Sequence, residues 1–200
     1  MSGCDSCSSD NIAKADKQQK RVLIIVLIIN ASMFFIEFTA GFISHSTALM
    51  ADSLDMLADA LVYALGLFAL GRAEHWKNRA ALTSGIFQMT LGLGILIQPI
   101  YLLSTNDMPD AFNMGVFGAL ALLANTISFI LLMAYRDGDI NMRATWICTR
   151  NDMIHSFGVV VAGGLVYWLK TPLPDIAIGV FIAFIVIRSA WGVISEARNS

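Results

Sequence analysis

The stretch ADSLDMLADALVYALGLFAL, residues 51 to 70, decides the fold. It ends in an apolar run typical of a helix buried in lipid, yet it begins with Asp52, Asp55 and Asp59. A carboxylate at the centre of a membrane costs at least about 2.5 kcal/mol, so such groups usually face the interior of a helix bundle. The stretch therefore predicts a membrane helix whose acidic side faces other protein.

The whole chain has the composition of an integral membrane protein. Of its 200 residues, 56% are hydrophobic and 14% are charged, and the mean hydropathy is +0.67. Six apolar stretches are long enough to cross a hydrocarbon core of about 30 Å. We therefore predict an all-α integral membrane protein, a six-transmembrane-helix bundle over residues 21–195, with polar tails at 1–20 and 196–200. The predicted spans lie near 21–44, 46–70, 79–103, 110–135, 143–169 and 174–195.

Basic residues in the loops predict the orientation, because Lys and Arg concentrate on the cytoplasmic side. The loops on the opposite side of the predicted bundle hold Lys170 alone. We therefore expect both the N-terminus and the C-terminus to be cytoplasmic. The loops and tails expected on that side hold Lys14, Lys17, Lys20, Arg21, Arg72, Lys77, Arg79, Arg136, Arg143 and Arg198.

Two of the predicted spans carry polar pairs at helical spacing. Asp55 and Asp59 are four residues apart in the second span, and Cys148 and Asp152 are four apart in the fifth, so each pair shares one helix face. With the predicted orientation, Asp59 and Asp152 lie at depths of about 16 and 14 Å, from a rise of about 1.5 Å per residue. The two pairs can therefore meet near the centre of the membrane.

Four such ligands suit a divalent metal ion. Carboxylate oxygens and a thiolate are all ligands that Zn²⁺ accepts, in tetrahedral geometry. Two carboxylates on one face repel each other in a low dielectric, so a proton or a cation has to sit between them. The alternatives are structural: Asp52 can cap a turn or bond a neighbouring helix, and Cys148 can be a small apolar packing residue.

Two segments resemble the cation diffusion facilitator family of metal/proton antiporters. HSTALMADSLDMLADALVYALGL, residues 45–67, resembles the family's second span, with Asp55 and Asp59 at its metal-binding pair. NMRATWICTRNDMIHSFGVVVAGGLVY, residues 141–167, resembles its fifth span, with Asp152 at the final carboxylate. Supporting positions are Asn30, Glu37, Gly41, Asn125 and the Pro174-Asp175 pair.

The resemblance implies a homodimer of six-span protomers, each with one tetrahedral transport site built by spans two and five. Cys148 stands where the family usually has histidine, and a thiolate is softer than an imidazole, which favours Zn²⁺, Cd²⁺ or softer ions. We also expect a short member without the family's small cytoplasmic αβ domain.

Other polar residues are candidates for secondary roles. We assign Asp52, His155, Glu37 and Asn125 to a secondary or proton path, with bonding between helices as the alternative. In the tail, Cys4 and Cys7 have the spacing of a metal clip, although two ligands alone make an unstructured tail the stronger interpretation.

These features together predict a divalent metal efflux transporter that exchanges Zn²⁺, Cd²⁺ or Co²⁺ for protons by alternating access. Asp55, Asp59, Cys148 and Asp152 are its predicted metal ligands. We expect no permanently bound cofactor, no enzyme activity and no nucleic-acid partner, and a location in a bacterial inner membrane. The alternatives are a metal-binding membrane subunit or sensor, and an intramembrane metalloenzyme. The metalloenzyme is disfavoured because catalytic zinc keeps one coordination position open, whereas four protein ligands would fill all of them.

Overall fold

The computed structural model describes residues 5–69, 74–105, 107–135 and 140–199. Within those ranges, side chains are described from residue 17 onward, apart from most of those at 65–84, those at 140–145, 147–148 and 196–199, and residue 62. The described elements are all helices: α1 (Asp5–Ile43), α2 (Thr47–Ala69), α3 (Glu74–Ile95), α4 (Ile97–Thr105), α5 (Ala111–Met133), α6 (Ile140–Leu169) and α7 (Leu173–Asn199).

Five segments in the described part of the chain are long and apolar enough to cross a membrane. The prediction of an all-α membrane protein is confirmed. Helix α2 is long enough to cross a membrane, but it carries Asp52, Asp55 and Asp59 and is therefore too charged to be counted among these five. The count of six spans and the orientation of the termini stay predictions. The five segments are Lys17–Ile43, Gly85–Thr105, Ala111–Met133, Thr149–Leu169 and Leu173–Ser195.

Helix α2 occupies the centre of the bundle, where it packs against α1, α3, α6 and α7. Leu49 and Leu54 of α2 are buried in one apolar cluster with Val159 of α6 and with Ile182 and Val186 of α7. The acidic face of α2 is therefore covered by protein. Large apolar side chains on the outer faces of other helices are exposed, as expected for surfaces that meet lipid.

Two stretches differ from the simplest sequence interpretation. The third predicted span, 79–103, forms two helices, α3 and α4, that meet at Leu96. Pro99 explains this break, because proline lacks an N–H and clashes with the carbonyl four residues earlier. Helix α1 begins at Asp5, inside the segment predicted as an irregular tail. Residues 5–20 contain neither proline nor glycine, so nothing in that segment interrupts a helix.

The turn between α1 and α2 is the tight hairpin that Ser44, His45 and Ser46 predict. His45 has a φ of 54°, and the N–H of Ser46 donates to the carbonyl of Gly41 over 2.9 Å. This left-handed residue with a bond spanning the helix end is a Schellman cap. A Cβ on Gly41 would lie 2.9 Å from the backbone nitrogen of Met50, so glycine lets α1 and α2 approach closely.

Helix α7 holds the start of α2 in place through Asp175. Its buried carboxylate accepts hydrogen bonds from Ser46 Oγ at 2.6 Å, from the Thr47 N–H at 2.7 Å and from the Ala48 N–H at 3.1 Å. The first N–H groups of a helix have no partner within the helix, so Asp175 caps α2 from another helix. One turn later, a Cβ on Gly179 would lie 2.6 Å from Thr47. This clamp fixes the position of the acidic face of α2.

Candidate metal centre

Helices α2 and α6 bring three potential metal ligands together. Asp55 of α2 and Asp152 and His155 of α6 each offer one ligand atom, and these atoms all lie within 4.8 Å of one another. His155 Nδ1 lies 2.6 Å from Asp55 Oδ2. Asp152 and His155 are three residues apart, so one face of α6 presents both side chains.

Asp59 adjoins this group one turn further along α2. Its side chain is buried, at 7% exposed. The hydroxyl of Tyr63 donates to Asp59 Oδ2 over 2.5 Å and lies 3.2 Å from Thr149 Oγ1 on α6. Tyr63 and Thr149 thus fix the orientation of Asp59 against α6, three residues before Asp152, and the predicted meeting of Asp59 with Asp152 stays a prediction.

The distances are close to those that a divalent metal requires. Zinc bonds to oxygen and nitrogen are about 2.0–2.2 Å, which places tetrahedral ligand atoms about 3.4 Å apart. The contact between His155 Nδ1 and Asp55 Oδ2, at 2.6 Å, is a hydrogen bond and has to lengthen by about 1 Å if both atoms bind one ion. Carboxylate and imidazole ligands suit Zn²⁺ and the neighbouring divalent transition metals.

The predicted ligand set and the observed group overlap in part. Asp55 and Asp152 lie together with His155, which was predicted as a secondary residue, and Asp59 lies one turn further along α2. The side chain of Cys148 lies outside the described residues, so its ligand role stays a prediction. The tail clip of Cys4 and Cys7 also lies outside the described part.

Sequence reasoning missed two residues of this site, Tyr63 and Thr149. Tyr63 is four residues after Asp59, a spacing that places both on one helix face. That spacing could have indicated the contact. Thr149 has no comparable signal, because only the packing of α6 against α2 brings it to the Tyr63 hydroxyl.

A second buried polar group lies towards the opposite end of the acidic face, around Asp52. Ser156 Oγ donates to Asp52 Oδ2 over 2.8 Å, and Asn125 Nδ2 of α5 donates to Ser156 Oγ over 3.0 Å. Glu37 of α1 is fully buried, in the helix that packs against this part of α2. The predicted secondary residues thus gather at two places: Asp52, Glu37 and Asn125 here, and His155 at the metal centre.

The match to a known family agrees with this arrangement. The family model described as the cation efflux transmembrane domain matches residues 23–200. The chain belongs to the cation diffusion facilitator family. The resemblance seen in its second and fifth predicted spans is therefore confirmed. It is a family of transporters.

Several characterised members are similar to this chain. The zinc transporter ZitB of Escherichia coli is 27% identical over 192 residues, covering 90% of this chain and 61% of that protein. The cadmium, cobalt and zinc/H(+)-K(+) antiporter of Bacillus subtilis is 24% identical over 192 residues, covering 89% and 62%. The vacuolar zinc transporter COT1 of Saccharomyces cerevisiae is 31% identical over 127 residues, covering 56% and 29%. The chain thus spans about three fifths of the length of the two bacterial relatives.

Proposed function

We propose that this chain carries divalent transition-metal ions, with Zn²⁺ as the leading substrate, out of the cytoplasm in exchange for protons. The observation that supports this most strongly is the group formed by Asp55, Asp152 and His155 between two buried helix faces. Asp59 completes it as a fourth ligand, and the metal is cargo rather than a resident cofactor. Cd²⁺ and Co²⁺ are further substrates that these ligand types accept.

Charge explains why an ion would bind here. Asp55, Asp59 and Asp152 bring three carboxylates together, and His155 is the imidazole in contact with them. Buried like charges are unfavourable unless protons or a cation neutralise them. A divalent cation and protons therefore compete for the same group of side chains, which is the requirement for exchange.

The transport cycle follows from that competition. Metal from the cytoplasm displaces protons from the carboxylates, and the bundle then opens to the other side. Protons from that side displace the metal, and the protonated protein returns. Such a cycle needs a site that each side reaches in turn. In this proposal Asp55, whose side chain is 14% exposed, is the ligand through which the ion reaches the centre.

The proposed setting is a homodimer in a bacterial inner membrane, with both termini in the cytoplasm and six spans in each protomer. The bacterial relatives support the choice of membrane, and the distribution of Lys and Arg supports the orientation. In this setting α2 crosses the membrane as well and brings the number of spans from five to six. Its central position shields its carboxylates from lipid.

The test is metal binding and flux in the purified full chain. Zn²⁺ binding is measured by titration calorimetry, and Zn²⁺ flux is measured in proteoliposomes with a pH gradient. We expect Asp55→Ala, Asp59→Ala and Asp152→Ala to lose flux and to weaken binding by more than tenfold, since each removes one of four ligands. Asp110→Ala is the matched control, because Asp110 is an exposed acid that caps α5.

Two results would count against the proposal. Wild-type protein that binds no Zn²⁺ would remove the metal site altogether. Wild-type protein that binds Zn²⁺ but moves none across the vesicle membrane, with or without a proton gradient, would instead indicate a metal-holding subunit or sensor.

A further inference from the structure

Glu37 and Asp52 form a pair of buried acids next to the candidate metal centre. Glu37 is fully buried on α1, and Asp52 is 1% exposed on α2. Gly41, one turn after Glu37, lies against Met50, which is two residues before Asp52, so the packing of α1 on α2 places the two acids at neighbouring levels. Among the described residues, neither oxygen of Glu37 has a hydrogen-bond partner, and Oδ1 of Asp52 has none either.

Two ionised carboxylates only accept hydrogen bonds, so they cannot satisfy each other. Burying an acceptor with no donor costs about 1–3 kcal/mol, and burying a charge with no counter-charge costs more. The described donor that reaches this pair is neutral: Ser156 Oγ donates to Asp52, and Asn125 in turn donates to Ser156. A proton on one of the acids would neutralise one charge and supply the missing hydrogen bond between them.

We propose that Glu37 and Asp52 together bind one exchanged proton, at a site separate from the metal centre. This inference rests on the proposed metal/proton exchange and adds a second ion-binding site to it. Before metal binds, the site holds one carboxylic acid and one carboxylate. When the metal centre fills, the O–H bond of the acid breaks, the proton leaves to water on the cytoplasmic side, and both groups are carboxylates.

The position of the pair explains how the two sites are coupled. Asp55 is three residues after Asp52 on α2, and His155 directly precedes Ser156, which donates to Asp52, so two ligands of the metal centre are close to the pair. A divalent cation held by those residues makes the surroundings of Asp52 more positive, which favours release of the proton. Ser156 directly follows His155 in α6, so a shift of α6 on metal binding also moves the hydroxyl that donates to Asp52.

The chemistry of the site favours a proton over a metal cation. Hard cations such as Ca²⁺ take six to eight oxygen ligands. The side chains gathered here are two acids, one hydroxyl and one amide, and the hydroxyl already bonds to Asp52. A bound proton needs only the two facing carboxylates.

The experiment compares Glu37→Gln and Asp52→Asn with wild type in the purified full chain, with Asp110→Asn as the matched control. Calorimetric Zn²⁺ titrations in two buffers of different ionisation enthalpy give the number of protons released per Zn²⁺ bound. A pH-sensitive dye in proteoliposomes gives the number of protons moved per Zn²⁺. We expect both variants to bind Zn²⁺ within about threefold of wild-type affinity. We also expect them to release and move about one proton fewer per Zn²⁺, because one acid of the pair is gone.

The outcomes separate this inference from the proposed function. If wild type exchanges Zn²⁺ for protons but both variants keep the wild-type proton count, the pair is not a proton site. If the variants lose Zn²⁺ binding, the acids belong to the metal centre and the separate site is wrong. A Zn²⁺ flux that stops when choline replaces K⁺ would assign the pair to a monovalent metal cation instead. A wild type with no Zn²⁺ binding refutes the proposed function itself.

A second variant covers the case in which the amide substitutions prevent folding. Ser156→Ala keeps both acids and removes the hydroxyl that donates to Asp52. Without that donor the ionised form of the pair is less stable, so the proton is held to higher pH. The pH at which the proton count per Zn²⁺ changes should therefore rise, and an unchanged midpoint would overturn the proposal.

Discussion

Tyr63→Phe tests whether Asp59 belongs to the metal centre. The substitution removes only the hydroxyl that donates to Asp59 Oδ2 at 2.5 Å and approaches Thr149 Oγ1 at 3.2 Å. Tyr63 is buried, and phenylalanine keeps its aromatic ring and therefore its packing. A residue that orients a metal-binding carboxylate typically contributes 10- to 100-fold to metal affinity, or about 1.4–2.7 kcal/mol. Because this hydrogen bond is short and its acceptor is a carboxylate when metal is bound, we expect the upper half of that range.

The assay is calorimetric titration of the purified protein with Zn²⁺, combined with thermal unfolding without metal. The expected result is a Kd raised roughly 30- to 100-fold, with metal-free stability lowered by about 1–3 kcal/mol because buried Asp59 loses one donor. Tyr167→Phe is the matched control, because Tyr167 lies on α6 but is 70% exposed. A Tyr63→Phe variant whose Zn²⁺ affinity stays within about twofold of wild type would refute the reasoning, and Asp59 would then have no ligand role that depends on its orientation.

Three further predictions concern the clamp on α2 and the selectivity of the site. Gly179→Ala should lower the unfolding temperature, because its Cβ would lie 2.6 Å from Thr47. Gly164→Ala should not, because nothing lies within 4 Å of the new Cβ. Equal unfolding temperatures for the two variants would contradict the close contact at Gly179. Asp175→Ala should reduce stability by about 1–3 kcal/mol in denaturant unfolding, because it leaves three buried donors without their acceptor. Asp110→Ala should reduce it less, since Asp110 is exposed, and a reversed order would be inconsistent with the clamp. Cys148→His should raise the preference for Zn²⁺ over Cd²⁺ in flux assays, because imidazole is harder than thiolate, and unchanged selectivity would exclude Cys148 from the site.

The candidate site was predictable as far as helical periodicity reaches. The four-residue spacing of Asp55 and Asp59 placed both on one face of α2, and the spacing of Cys148 and Asp152 did the same on α6. Asp59 and Asp152 were predicted at similar depths, and in the structure Asp59 reaches α6 through Tyr63 at Thr149, three residues before Asp152. Periodicity is a local property of the backbone, so each helix face could be derived from its own residues.

The partners across helices were not predictable in the same way. The bond from His155 to Asp55, the approach of Tyr63 to Thr149 and the meeting of Glu37 with Asp52 each join residues that are distant in the chain or on different helices. Such contacts depend on how far each helix is shifted and rotated against its neighbour. Nothing in one helix specifies that rotation.

The sequence alone determined that this protein is an all-α membrane protein with its acids turned inward, because hydropathy and helical spacing act within each segment. The tertiary structure decided which acids share a site and which form a separate pair. The physical reason is that contacts such as Asp175 on the start of α2 and Gly179 against Thr47 set the register between helices. That register is a property of several segments packed together.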